Sequence, residues 1–162
     1  CVPKKSHLKV YQKYWNHYPV RRWSRNAFPR KKSELEEIYF KSKSNAGFFI
    51  DMVLIENEEW IGDCGLHGID WINRTAWLGA GIYEKKNWNK GYATEAVNLL
   101  VNYVFEELNL RKIKVGILSL NIGSQTAAKK SGFTLETRYK NHEYVEGEYV
   151  DLLVFSRFNE QK

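Results

Sequence analysis

Cysteine is scarce in this sequence: Cys1 and Cys64 are the two thiols among 162 residues. With no C-x-x-C spacing they argue against a disulfide framework and against a thiolate zinc site, and they suit a reducing, cytoplasmic compartment. Proline is nearly as rare, and no linker rich in Pro, Gly or Ser divides the chain. Internal repeats and low-complexity segments are missing too, so a single domain over residues 1–162 with one substantial core is expected. No run of 18 apolar residues occurs, which excludes a spanning helix and a membrane partner of that kind. The opening Cys1-Val2-Pro3-Lys4-Lys5 lacks an apolar stretch of signal-peptide length and an initiator Met. The N-terminus, with any first strand in it, is therefore read as trimmed or incomplete. The four histidines (His7, His17, His67, His142) are scattered without metal-ligand spacing, so no metal is expected.

What is present is an ordinary globular balance with many aromatics, which either fill the core or line a cleft. The net charge of +6 suits phosphate-bearing ligands, acidic protein surfaces or nucleic acid. Part of the excess is local: Arg21, Arg22, Arg25, Arg30, Lys31 and Lys32 fall in one short stretch. That stretch is either a solvated loop or a lure for an acidic protein or peptide. Nucleic acid is disfavoured, because only Trp15, Trp23 and Phe28 near the arginines hint at base stacking.

The hydrophobic period changes along the chain. Leu8, Tyr11, Trp15 and Tyr18 follow helical spacing, and Pro19 is expected to stop that helix. Ser33 followed by Glu36 looks like a capping box opening a second helix through Lys43. Phe48–Glu56, Trp60–Ile69 and Thr75–Tyr83 read as strands joined by turns at Asn57-Glu58 and Asn73-Arg74, an antiparallel meander. Ala93, Ala96, Val97, Leu100, Val104 and Leu108 make one apolar helical face. Lys112–Ser119 alternates as a strand. A short helix over Ser124–Ser131 ends at Gly132 in a left-handed cap. Phe133–Tyr139 and Tyr149–Phe155 close the chain around a Glu146-Gly147 turn. The expected class is a mixed α/β sheet, mostly antiparallel, with helices on both sides.

The segment with chemistry in it is Trp88-Asn89-Lys90-Gly91-Tyr92-Ala93-Thr94, which joins a strand to the amphipathic helix. Amides at a helix start have no internal partner, and the helix dipole adds about half a positive charge there. Gly91 lets a phosphate approach the backbone, and Lys90 adds charge beside it. An ordinary strand-to-helix turn would look the same.

Here the chain resembles a family. Lys90-Gly91-Tyr92-Ala93-Thr94-Glu95-Ala96 resembles the acetyl-CoA pyrophosphate loop of GNAT acetyltransferases. Gly91 and Ala93 match its glycine and small residue. Trp88 replaces the usual Gln or Arg, and Asn89 stands where Gly is frequent. Further similar segments follow in the family's order: Ile61-Gly62-Asp63-Cys64-Gly65-Leu66, Phe105 to Ile113, Asn121-Ile122-Gly123-Ser124, Lys130-Ser131-Gly132-Phe133 and Gly147 to Asp151. Together they cover residues 48–158, and the Rim-like branch, which includes N-terminal acetyltransferases of ribosomal proteins, is the most similar.

The resemblance implies the GNAT fold, acetyl-CoA as co-substrate and direct transfer to an amine in a ternary complex, by a monomer or homodimer. It places CoA on Leu78, Ala80, the loop from Trp88 through Thr94, Asn121 and Ser124. It gives Ser124 the role of acid toward the leaving thiolate; a helix N-cap is the other reading of that serine. The Tyr that many relatives use stands at Ala128 here, and their strand Glu at Trp77. Glu84 is taken as the substitute base, with Asp63, Glu143 and Asp151 as alternatives. Gly79 and Gly81 would permit a bulge, or else relieve twist. A missing Glu favours an α-amine acceptor, whose pKa of about 7.7–8.0 makes deprotonation cheap, over a lysine near 10.4. A CoA-binding subunit without catalysis and an enzyme acting on a small amine are the competing readings.

Overall fold

Alternation in the middle of the chain builds a sheet, and 3.6-residue periodicity on either side builds its covering helices. In this computed structural model, residues 1, 3–23, 29–41 and 47–160 are described, Lys41 by its backbone alone. The elements run α1 (Lys5–Trp15), α2 (Tyr18–Arg21), α3 (Lys32–Lys41), β1 (Gly47–Val53), β2 (Trp60–Asp70), β3 (Thr75–Ile82), a 3-10 turn (Lys85–Asn87), α4 (Tyr92–Glu106), β4 (Lys112–Leu118), α5 (Ile122–Lys130), β5 (Thr134–Val145) and β6 (Glu148–Phe158). The six strands are ordered β1-β2-β3-β4-β6-β5. Only β3 and β4 pair in parallel; the other four contacts are antiparallel, as the alternation suggests.

Two apolar clusters lie on opposite faces. Cys64, Leu66, Ala76 and Leu78 meet Val97, Leu100, Val101 and Val104 of α4 in the larger core. Cys64 is 1% exposed, and burial pushes its thiol up to about 12, so it packs as an apolar side chain. On the other face Tyr11, Tyr14, Leu35, Tyr39 and Trp60 gather under α1 and α3.

The sequence reading needs several corrections. α1 ends at Trp15 and buries His7, Tyr11 and Tyr14; Tyr18 is 47% exposed. Pro19 opens α2 in its first turn, where its missing N–H costs nothing. The capping contact of α3 falls two residues earlier than expected: Glu34 accepts from the Lys31 amide at 3.2 Å, and Ser33 lies inside the helix. Lys43 lies outside the described residues. An added Cβ at Gly62 would stand 1.9 Å from the Gly81 carbonyl, and at Gly65 2.1 Å from the Phe48 carbonyl, so close strand approach requires both. No bulge falls at Gly79 or Gly81; the β2–β3 register is regular from Gly62 to His67 and shifts only beyond it.

One polar group sits beneath α1 and α3. Asp51, 3% exposed on β1, accepts from His7 Nδ1 at 2.7 Å and from the Tyr39 hydroxyl. Cys1, His7 and Asp51 have donor atoms within 4.8 Å, a cluster that spacing along the chain could not reveal. The direct bonds fix both helices to the sheet. Asp51→Ala would strand two buried donors and is expected to cost about 3 kcal/mol, lowering Tm by about 6–12 °C. Thermal unfolding checks this; a Tm within 2 °C or so of wild type would show that the cluster holds nothing. No described helix is long and apolar enough to cross a membrane.

Candidate active site

The site begins where the sheet comes apart. β3 and β4 pair at Thr75↔Lys112, Ala76↔Ile113 and Trp77↔Lys114, and the pairing stops there. The Tyr83 amide donates to the Ile61 carbonyl at 3.0 Å, and the Gly81 carbonyl points toward Gly62. Alternate residues turn their backbone the other way, so the N–H and C=O of Leu78 and Ala80 face the split. A strand edge inside a sheet is an uncommon arrangement, and it offers a ladder to an extended ligand bearing amides.

At the wide end of the split lies the loop. Asn89 and Gly91 both have left-handed backbones, φ 59° and 87°. Asn is one of the few residues that enters this region at small cost. Gly91 caps α4, no side chain bonds to the helix start, and nothing lies within 4 Å of a Cβ built there. The amides of Tyr92, Ala93 and Thr94 in the first turn are therefore open to an anion. A depression of about 460 Å³ runs on from Gly91 past Thr94, Asn98 and Asn102 to Lys130. The Trp88 indole N–H donates to the Ile82 carbonyl at 2.9 Å, pinning the loop to the end of β3. Asn87, in the turn just before, is 3% exposed and its Nδ2 has no partner. Open amides, an open glycine and an orphaned donor together suit a pyrophosphate followed by an amide-bearing arm.

Across the split, Asn121 rather than Ser124 caps α5. Its side chain accepts from the Ser124 amide at 3.1 Å. Ser124 is half-buried at the third helical position, and no hydrogen bond occupies its hydroxyl among the described residues. The N-cap reading of Ser124 is thus excluded, and Asn121 keeps its amide NH2 available. Ala128 is packed in the core, 8% exposed.

The carboxylates separate clearly. Glu84 accepts from the Tyr14 hydroxyl and pairs with Lys86 at 3.1 Å. Those bonds, the Tyr14 one foremost, hold its carboxyl below the usual range, which makes it a poor proton acceptor. Asp151 accepts from the Asn141 amide at 2.8 Å and pairs with Arg138, so its carboxyl is also lowered and serves the irregular stretch of β5. Glu143 lies on that stretch, opposite Val150. Asp63 is different. It sits on β2 between Asp51 and Gly81, half-buried, on the face that α1 and α3 cover. The Tyr83 hydroxyl donates to it at 3.0 Å, and no cation pairs with it among the described residues. Burial pushes its carboxyl up to about 7, against the lowering by Tyr83 and with help from the Asp51 charge.

On that face Gly65, Gly79 and Gly81 bring no side chains of their own; the Phe49 ring lies over Gly79, 3.4 Å from where a Cβ would stand, and the Tyr83 ring lies equally close over Gly81. Asp63 closes one end; His67, Trp77 and Lys114, in register across three strands, close the other. Above this face, α2 is tied to the β5–β6 turn: Tyr18 donates to Glu146 at 2.9 Å and Arg22 pairs with Glu146 at 2.7 Å. Of the basic stretch, Arg22 is therefore spent on this tie, and Arg25 lies outside the described residues. Nothing local in the sequence signals the tie, since its partners are 128 residues apart.

Comparison with known proteins agrees with this geometry. Residues 3–134 match the acetyltransferase (GNAT) domain, and the chain belongs to that family. The uncharacterised N-acetyltransferase p20 of Bacillus licheniformis is 32% identical over 105 residues, 65% of this chain and 58% of that protein. The ribosomal-protein-serine acetyltransferase of Escherichia coli is 24% identical over 111 residues, 68% of this chain and 62% of that one. The matched part thus spans about three-fifths of these relatives. Spermidine N-acetyltransferase from Vibrio cholerae, solved with CoA and spermine, superposes with a TM-score of 0.88 at 23% identity, over 98% of this chain and 93% of that one. At that identity the likeness establishes the fold.

Proposed function

We propose that the chain works as a single cytoplasmic acetyltransferase domain that moves the acetyl group of acetyl-CoA to the α-amine of a protein or peptide. The observation carrying this reading is the β3–β4 split, which opens toward a helix start that no side chain caps. The amides of the loop through Thr94 would take the pyrophosphate, with Lys90 adding charge. The free edge at Leu78 and Ala80, with the Asn121 amide, would pair the arm that follows, and acetyl-CoA supplies the activated acyl group. The amine approaches the split at Leu78 and Ala80, past the Phe49 ring that covers Gly79, and attacks the thioester carbon, so a C–N bond forms as the C–S bond breaks. An edge amide of Leu78 or Ala80 polarises the carbonyl oxygen. Asp63 takes the amine proton, displacing Glu84 from the role the sequence suggested, and Ser124 protonates the departing thiolate. An α-amine suits this site because a carboxylate near 7 lies within about one unit of its pKa, whereas a lysine is more than three units away.

The test is calorimetric titration with acetyl-CoA, followed by turnover of three acceptor classes: free N-terminal peptides, N-blocked peptides with an internal Lys, and spermidine. One site per chain and turnover of free N-termini at least about tenfold above the others are expected. Preference for spermidine or internal Lys would overturn the α-amine assignment. Absence of acetyl-CoA binding at millimolar concentration would overturn the enzyme reading itself.

A further inference from the structure

Lys114 is the unusual cation of this site. It is half-buried on β4, at the vertex of the split, with its Nζ 4.6 Å from the centre of the Trp77 ring. No carboxylate pairs with it among the described residues. The acids whose charges it feels are engaged elsewhere: Asp70 accepts from Asn73 at 2.7 and 2.8 Å, and Glu136 pairs with Lys112. A half-buried ammonium held against an aromatic wall, with no carboxylate in contact and the Asp70 and Glu136 charges reaching it only through space, leaves room for an anion contact. Phe49 and His67 extend the wall, their rings stacked 6.5 Å apart and nearly parallel.

We infer that Lys114, backed by Trp77, reads an acidic side chain at the second residue of the acceptor. This rests on the α-amine reading above. Register supplies the scale: Trp77, against whose ring the Lys114 ammonium lies, is two residues along β3 from Gly79, about 7 Å of strand. In an extended peptide the carboxylate of an Asp or Glu at the second position stands about 6–8 Å from the terminal nitrogen. A carboxylate on the first residue falls short of Lys114, and one on the third points to the opposite side of the extended chain.

The protein saturated with CoA is titrated calorimetrically with hexapeptides that differ only in Glu against Gln at the second residue. The Glu peptide is expected to bind about tenfold tighter, as suits one half-buried charge-assisted contact. Lys114→Met, which keeps the stem over Trp77, should erase the difference, and Lys114→Arg should retain it. Equal affinities in the wild type, a preference that survives Lys114→Met, or no binding of either peptide would overturn the inference. Acetylation is followed separately. A Glu peptide that binds selectively but is never acetylated would sink the proposed activity and leave the contact standing.

Discussion

Gly91→Asp is expected to lower acetyl-CoA affinity about 100-fold, which is about 2.7 kcal/mol, and to leave the fold intact. The fold survives because the substituted side chain meets open space, with no heavy atom within 4 Å of the new Cβ. Asp also enters the left-handed region more readily than most residues, so the φ of 87° strains it modestly. The loss comes from electrostatics. A carboxylate at this position sits among the amides of the first turn of α4, where a helix start welcomes negative charge. It would then compete for the donors that a pyrophosphate needs and repel the phosphates themselves. Gly91→Asn separates strain from charge: same shape, no charge, and a loss of about tenfold or less. Calorimetry with thermal unfolding as control gives the answer. Affinity within threefold or so of wild type in Gly91→Asp would move the phosphates away from this helix start, toward Asn98, Asn102 and Lys130.

The second large effect concerns the proton. Asp63→Asn should reduce kcat by about 100-fold with acetyl-CoA affinity unchanged, the scale of a lost general base. The pH profile carries the distinction between a chemical and a structural role. With its carboxyl raised to about 7, Asp63 is protonated and useless below that pH, and competent above it. The wild-type rate therefore climbs through pH 7 and again as the acceptor amine loses its proton near 7.7–8.0 or so. In Asp63→Asn only the acceptor limb should remain. Glu84→Gln, by contrast, loosens α1 from the end of β3 through Tyr14 and should keep both limbs. If Glu84→Gln abolished the pH 7 limb and Asp63→Asn retained it, the base would be Glu84 after all.

These two residues show what a sequence displays and what it hides. The loop around Gly91 was legible because its signals are local: a glycine, a lysine and the onset of a 3.6-residue apolar rhythm within ten positions. The meander and Gly132, with φ 76°, were legible for the same reason. Asp63 and Glu84 looked alike as isolated acids near strands. What separates them is long-range: Tyr14 reaches Glu84 across 70 residues, and the neighbour of Asp63 is Asp51 on another strand. A cap can also mislead at short range. Ser124 and Ser33 are good capping residues by type, yet Asn121 caps α5 and the contact at the start of α3 is made by Lys31 and Glu34, while Ser124 and Ser33 lie inside their helices. Asn89 inverted the lesson: the residue that departs from the family pattern adopts the backbone the pattern needs.

The sheet is also a mechanical object, two leaves joined along a short spine. One leaf holds β1, β2 and β3, the other β4, β6 and β5, and three rungs from Thr75 to Trp77 bind them. Beyond the spine the leaves are linked by α4 packing and, at the far margin, by the clasp of Tyr18 and Arg22 on Glu146. Spreading the leaves breaks no ladder bond, since none is made past Trp77, whereas bending either leaf breaks several. Past Trp77, then, the width of the cleft is held by side-chain packing and by that clasp, with no backbone ladder across it.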